Sequence, residues 1–434
     1  MQQAEINEQN IKQSNMKDKI DIISVRDGLT SVSDQEHQFP IHYAYDYRHG
    51  IKHNYLKAPQ LQLYEHIRRQ TFLDLAARKE SSGKKAAGRS DNGIYIDPVA
   101  AGLPWTSGIL ACRQSKHWRL SLDTVNLFLQ ELSGGDCAQI ASRPGGSITR
   151  IAQEEILSNA ANGWARFPIY LYPEADEQRA RLLAVVNVFV FVFDDFWEMH
   201  DISTFTGVQK VFISRMQPES NSNIHHPETT LESLIDETIA EIFELDRKNG
   251  NDAGRVMIEE MIRFFNRPGP PEKYNSMDDY LLYRHQDAGI SYVLGTVKFS
   301  LNSSVDINSP QLARYLRLVY HHVCIANDLG SWEKEKKAYD TGAAIYLINA
   351  VDVVRQQLNL SSFDAAMDMT RGLLFQVECE IDEELERLMR EDTLSADEWR
   401  FVDATIHTMA GNVLSCITMS RFNQIAMEAQ FRES

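Results

Sequence analysis

Residues 363–391, FDAAMDMTRGLLFQVECEIDEELERLMRE, carry apolar side chains at i, i+3, i+4 and i+7 with charges between them. That period lays one apolar stripe along an α-helix and is incompatible with the two-residue repeat of a strand. LESLIDETIAEIFELDRK (231–248) has the same period, as does APQLQLYEHIRRQTFLDLAARK (58–79). Short breakers separate the periodic stretches, among them SGGD (133–136), RPGG (143–146), YPEAD (172–176), NRPGPPEKYN (266–275) and NSSVDINSP (302–310). Hairpin signals are few and no internal repeat is evident. The pattern predicts an all-α fold.

The chain has 434 residues, 43% of them apolar, enough for a sizeable core. We expect three parts: a flexible N-terminal arm (1–40), a helical extension and loop (41–94), and a helical domain (95–434). The arm is rich in Gln, Asn, Lys and Asp, and the loop ARKESSGKKAAGRSDNG (77–93) is small and basic. With 44 basic against 61 acidic side chains the net charge is −17, which opposes binding to nucleic acid or anionic membrane surfaces. Five scattered cysteines show neither zinc spacing nor a disulfide framework, and the start lacks the apolar centre of a signal peptide. A cytoplasmic protein without membrane insertion is expected, and composition leaves a homodimer open.

One stretch resists its own propensity. VVNVFVFVFDDFWEMH (185–200) alternates Val and Phe as strands do, yet ends on Asp194, Asp195 and Glu198. On a helix Asp194 and Glu198 fall one turn apart on one face, and Asn187, Val190 and Phe191 share that face. A helix with an apolar wall below and carboxylates above is predicted, with Phe189, Phe193 and Trp197 in the core. Further on, YHHVCIANDLGSWEKEKK (320–337) places Asn327, Ser331 and Glu335 four residues apart in succession. Amide, hydroxyl and carboxylate oxygens on one helical stripe suit a hard cation such as Mg²⁺, which shares its shell with water and phosphate. Lys334 stands beside the stripe as a phosphate donor. His321 and His322 point in different directions and are not read as ligands.

DDFWE resembles the aspartate-rich motif of class I terpene synthases, and NDLGSWEKE is similar to their second metal motif, N-D-x-x-S-x-x-x-E, with Asn327, Ser331 and Glu335 matching position for position. YLLYRHQDAG (280–289) falls where that family carries a diphosphate-sensing arginine. The resemblance implies Arg284 as sensor, Asp287 as linker and the Ala288 carbonyl as effector at a helix break beside Gly289. GNVLSCITMSRF (411–422) resembles the family's C-terminal stretch, with Gly411, Asn412 and Arg421 matching; Ser415, Cys416 and Phe422 depart from it, and Phe422 removes a hydroxyl. Glu198 stands where many relatives have Asp, so Asp194 is the firmer ligand.

The resemblance, over roughly residues 95–430, implies a single α-helical bundle with a central active-site cavity. The implied activity is a magnesium-dependent lyase of isoprenoid secondary metabolism, with three Mg²⁺ ions held by Asp194, Asp195, Glu198, Asn327, Ser331 and Glu335. Its substrate would be a prenyl diphosphate gripped by Arg284, Lys334 and Arg421, with Phe191 and Asn187 in the pocket. Farnesyl diphosphate cyclised to a sesquiterpene is expected, geranylgeranyl diphosphate being the alternative. A prenyl-chain elongation enzyme is disfavoured because those enzymes carry two aspartate-rich motifs. A non-enzymatic helical interaction protein would need both metal motifs to arise by chance.

Overall fold

The computed structural model describes residues 90–96, 98, 103, 105–109, 112–134, 148–157, 163–199, 209–210, 213–217, 226–227, 229–419 and 422, the side chains of 196–199 excepted. The expected arm (1–40) and nearly all of the extension (41–94) lie outside the described residues.

The first elements among the described residues form a short antiparallel ribbon, β1 (Gly93–Ile96) against β2 (Cys112–Ser115), in which Gly93 pairs with Ser115 and Ile96 with Cys112. The helices follow: α1 (Trp118–Ser133), α2 (Ile148–Leu157), α3 (Arg166–Leu171), α4 (Glu177–Met199), α5 (Thr230–Asn249) and α6 (Ala253–Phe265). Next come α7 (Met277–Asp287), α8 (Ile290–Ser300), α9 (Ala313–Asp340), α10 (Ala350–Gln357), α11 (Phe363–Glu391) and α12 (Ala396–Thr418). The fold is the expected all-α type. The ribbon is the exception that the sequence did not disclose, because its strands are short and are joined by a long connection rather than a tight turn.

The Val/Phe run of 185–193 is helical, as its carboxylates require, and lies within α4. Leu182, Leu183, Ala184, Val186, Val188, Phe189, Val192 and Phe193 are all buried. An interior helix is apolar on every side and satisfies its own backbone hydrogen bonds, and here that outweighs β propensity. Phe189 meets Phe128 of α1 edge-on, and Phe193 stacks on Phe265 of α6, so both are core residues as predicted. Side-chain caps set the ends of several helices. The Ser362 hydroxyl accepts from the backbone N–H groups of Asp364 and Ala365 at the start of α11, and Ser395 with Glu398 forms a capping box on α12.

Helix α9 packs against α11 and α12, and α12 also lies on α3 and β2. The α12–α3 contact depends on Gly411, where an added Cβ would stand 2.1 Å from the Tyr170 carbonyl oxygen. Gly411→Ala gains about 1 kcal/mol of helix propensity but overpacks backbone on backbone, which costs about 1–3 kcal/mol or more. Net destabilisation is expected, measured as a lower denaturant midpoint.

Glu174 ties the ribbon to α12. It is ion-paired with Arg113 of β2, accepts from the Ser90 hydroxyl and stands 3.4 Å from His407 Nδ1. Burial pushes its carboxyl upward, but His407, Arg113 and Ser90 together pull it from 4.5 down to about 2. Stability from this site is therefore complete above the unfolded value of 4.5 and is lost as pH falls toward 2, on the order of 3 kcal/mol in total. The stability difference between wild type and Glu174→Gln, measured by urea titration, should shrink by that amount between pH 5 and pH 2. A pH-independent difference would show that Glu174 is not held ionised.

Candidate active site

A cavity of about 740 Å³ opens between α4, α6, α7, α8, α9 and α12. Part of its wall is apolar: Phe167, Val190, Phe191, Phe264, Ile290 and Val293. Its polar side is built from Asp194 at the end of the α4 run and from Asn327, Ser331, Lys334 and Glu335 on α9, with Arg284 and Asp287 from the last turn of α7.

Arg284 is the hub. Its Nη1 donates to Asp287 Oδ2 (2.6 Å), Nε to Asp328 Oδ1 (2.9 Å) and Nη2 to Asn327 Oδ1 (3.1 Å). Asp328 is completely buried and also accepts from the Tyr280 hydroxyl and from the Ala350 backbone N–H (3.0 Å). Burial drives its carboxyl upward, and Arg284, Tyr280 and that N–H oppose the shift. Asn349 donates to the Asp328 carbonyl (2.8 Å) and to Glu335 Oε2 (2.9 Å), fixing the last side chain of the α9 stripe. Burial likewise raises the Glu335 carboxyl.

The helix break falls where the sequence predicts. Helix α7 ends at Asp287, Ala288 caps it, and Gly289 takes the left-handed conformation (φ +62°) before α8 begins. A Cβ on Gly289 would meet the Phe264 ring at 2.8 Å, so conformation and space both call for glycine there. Ala288 lies on the cavity wall.

Arg267, in the breaker after α6, escaped the sequence reading. Its guanidinium lies 4.2 Å over the Phe264 ring, donates from Nη2 to Asp194 Oδ1 (2.9 Å) and approaches Asp287 Oδ1 from Nε (3.4 Å). A continuous line of hydrogen-bonded charged and polar side chains, Asp194, Arg267, Asp287, Arg284 and Asn327, thus joins the two sequence motifs across one cavity. Asp328, Asn349 and Tyr280 were missed as well. Asp328 had a signal in the N-D pair of NDLGS, whereas Arg267 and Asn349 sit in connections with no period to read.

The remaining expected residues divide. Phe191 lines the cavity, stacked on Trp164 and edge-on to Phe167, each at 5.3 Å. Asn187 does not: it is buried one turn earlier in α4, and its amide donates to the Leu183 carbonyl (2.7 Å). Its expected place in the pocket is corrected on that ground. Asp195 does not line the cavity either, since it is turned about 100° from Asp194. The Glu198 side chain and Arg421 lie outside the described residues. His322 is fully buried with Nε2 3.1 Å from Glu378 Oε1.

The α9 stripe fits a hard cation. Ser331 Oγ is buried with no hydrogen-bond partner among the described residues, one turn from Asn327 on one side and from Glu335 on the other. Among the described residues no three His, Cys, Asp or Glu side chains converge on a metal position. A cation here would complete its shell with water or ligand oxygens, as Mg²⁺ does and structural zinc does not.

Residues 186–378 match the family described as terpene synthase family 2, C-terminal metal binding, and this span holds the α4 carboxylates, Arg284 and the whole α9 stripe. Over that span the chain carries the metal-binding region of the terpene synthases. It is 26% identical over 354 residues to terpene cyclase aneC of Aspergillus aculeatus, covering 77% of this chain and 75% of that one. Fusicoccadiene synthase of Phomopsis amygdali is 21% identical over 262 residues, 58% of this chain but 36% of that longer protein. Among solved structures, aristolochene synthase from Penicillium roqueforti superposes with a TM-score of 0.52 at 15% identity, over 67% of this chain and 93% of that one. The class I all-α fold is thereby shared. The likeness makes this protein an enzyme of the terpene synthase type; terpene synthases act on prenyl diphosphates, and the matched metal-binding family implies dependence on a divalent metal. Among its described residues no helix is long and apolar enough to cross a membrane.

Proposed function

We propose that the synthase ionises farnesyl diphosphate and cyclises the resulting carbocation to a sesquiterpene, releasing inorganic diphosphate. The observation that carries this reading is the cavity itself, lined by apolar and aromatic side chains and, at one side, by residues of both motifs together with Arg284.

Asp194 is assigned to hold one cation, and Asn327, Ser331 and Glu335 another, with Mg²⁺ as the ion and three ions in all. Bound Mg²⁺ would supply Lewis-acid neutralisation of the leaving diphosphate. Each of the three Arg284 nitrogens spends one N–H on Asp287, Asp328 or Asn327, so the second N–H of Nη1 and of Nη2 meets a diphosphate oxygen from a fixed guanidinium rather than a mobile one. Lys334, on the same cavity wall, adds a point charge. The allylic C–O bond breaks heterolytically and its electron pair leaves with diphosphate. The chain's part is then to exclude water and offer aromatic faces to the cation, and Phe167, Phe191 and Phe264 line the space where this happens. Loss of a proton from the final cation restores neutrality.

Phe191, held between Trp164 and Phe167, limits the depth below Asp194 and supports a C15 chain. The observation favouring a longer substrate is the likeness to proteins named as a bifunctional sesterterpene synthase (24% identical, 35% of that protein covered) and a bifunctional type I diterpene synthase (24% identical, 20% covered). Equal amounts of C10, C15 and C20 diphosphates, incubated together with saturating Mg²⁺ and extracted for gas chromatography with mass spectrometry, decide between them. Dominant C15 products are expected. Dominant C20 products would leave the cyclase assignment standing and overturn the chain length.

A further inference from the structure

The side chain of Arg267 is only 3% exposed, yet it belongs to a connection rather than a helix and touches both halves of the charged line. It donates to Asp194 Oδ1 at 2.9 Å and stands 3.4 Å from Asp287 Oδ1, while the second oxygen of Asp287 accepts from Arg284 at 2.6 Å. The Phe264 ring beneath it (4.2 Å) and the Phe264 carbonyl (3.5 Å from Nη1) hold the guanidinium in place, so it does not swing into solvent at little cost.

We propose that Arg267 couples the cation site to the diphosphate site by competing with the cation for Asp194. This rests on the site reading above. A carboxylate oxygen that donates its lone pair to a divalent cation weakens its hydrogen bond to Arg267, and the buried guanidinium then faces the new positive charge with less compensation. Cation binding alone is therefore opposed. A diphosphate beside Arg284 and Arg267 restores negative charge to the cluster and removes the opposition. The two ligands then bind with positive coupling, and thermodynamic linkage makes that coupling reciprocal. The arrangement keeps the aspartate-rich motif from loading metal unproductively before substrate arrives. Asp287 serves both arginines, so the sensor and the competitor report on the same carboxylate.

The test is equilibrium binding of Mn²⁺ to the full chain, read by electron paramagnetic resonance with and without inorganic diphosphate, so that no turnover enters. In wild type, diphosphate should tighten Mn²⁺ by about tenfold or more. In Arg267→Gln, Mn²⁺ alone should bind about tenfold tighter than in wild type, and the enhancement by diphosphate should fall below about threefold. Arg267→Lys keeps the charge over Phe264 and should retain the wild-type weakness toward Mn²⁺ alone, a result that also guards against misfolding of the glutamine variant. Arg263→Gln controls for net charge, because Arg263 is 65% exposed and paired with Glu260 on α6, away from the cavity. The proposal is overturned if Arg267→Gln binds Mn²⁺ alone no tighter than wild type, or if Arg263→Gln tightens it equally. If wild type fails to bind Mn²⁺ even with diphosphate, the metal-site reading falls together with the coupling, an outcome distinct from the other two.

Discussion

Asp194→Asn and Asn327→Ala should each lower turnover by at least about a hundredfold, since losing one stabiliser of charge developing in the transition state costs roughly 3 kcal/mol. The two residues come from different helices and face one cavity, joined through Arg267, Asp287 and Arg284. If they serve one cluster, either loss should disable it. Folding should survive. The Asp194 side chain is 27% exposed and its asparagine can still accept from Arg267, while Asn327→Ala forfeits one hydrogen bond to a charged group, worth about 1.5–3 kcal/mol. Product formation under saturating Mg²⁺, with melting curves to confirm the fold, is the measurement. Turnover within a few-fold of wild type in both variants would remove these positions from the active site.

Arg284→Lys is the sharper case, because the charge is kept and only the geometry is lost. One ammonium cannot reach Asp287, Asp328 and Asn327 together, as the planar guanidinium does with three separate nitrogens. Turnover should again fall by about a hundredfold or more. Stability should fall too, unlike in Asp194→Asn, because Asp328 is wholly buried and loses its closest cation. Breaking such a pair outright costs about 3–5 kcal/mol, and lysine recovers part of it. Release of inorganic diphosphate and urea unfolding should therefore drop together. Wild-type values in both would show that Arg284 neither senses diphosphate nor anchors α7 to α9.

The parts legible in the sequence were those with a period. Helices α5 and α11 announce themselves through apolar spacing, and a stripe at i, i+4 and i+8 places Asn327, Ser331 and Glu335 together on α9 before any neighbour is known. The break at Ala288–Gly289 was readable because glycine there needs a positive φ and an open Cβ position. Helix α4 required a second argument. Its Val and Phe residues favour a strand locally, and only the chemistry of Asp194 together with the helical context of the chain pointed to the helix found.

Face assignments along α4 show where such reading stops. Helical geometry puts Asn187, Phe191 and Asp194 on one side, but it says nothing of depth, and the rings of Trp164 and Phe167 set the level at which the cavity ends. For a related reason the roles of Arg267, Asp328 and Asn349 stayed hidden, even though the N-D pair of NDLGS marks Asp328 itself. Each acts through a partner distant in the chain, Asp194, Arg284 and Glu335 respectively in the case of the first, second and third, and two of them stand in connections where no repeat constrains the side chain. The sequence alone determined the helical class, the order of the motifs and which residues share a helical face, because these follow from local backbone geometry. Which of those faces meet, how deep the space between them runs, and which buried charges neutralise one another were decided only by the tertiary structure, since packing and desolvation depend on neighbours that chain position does not specify.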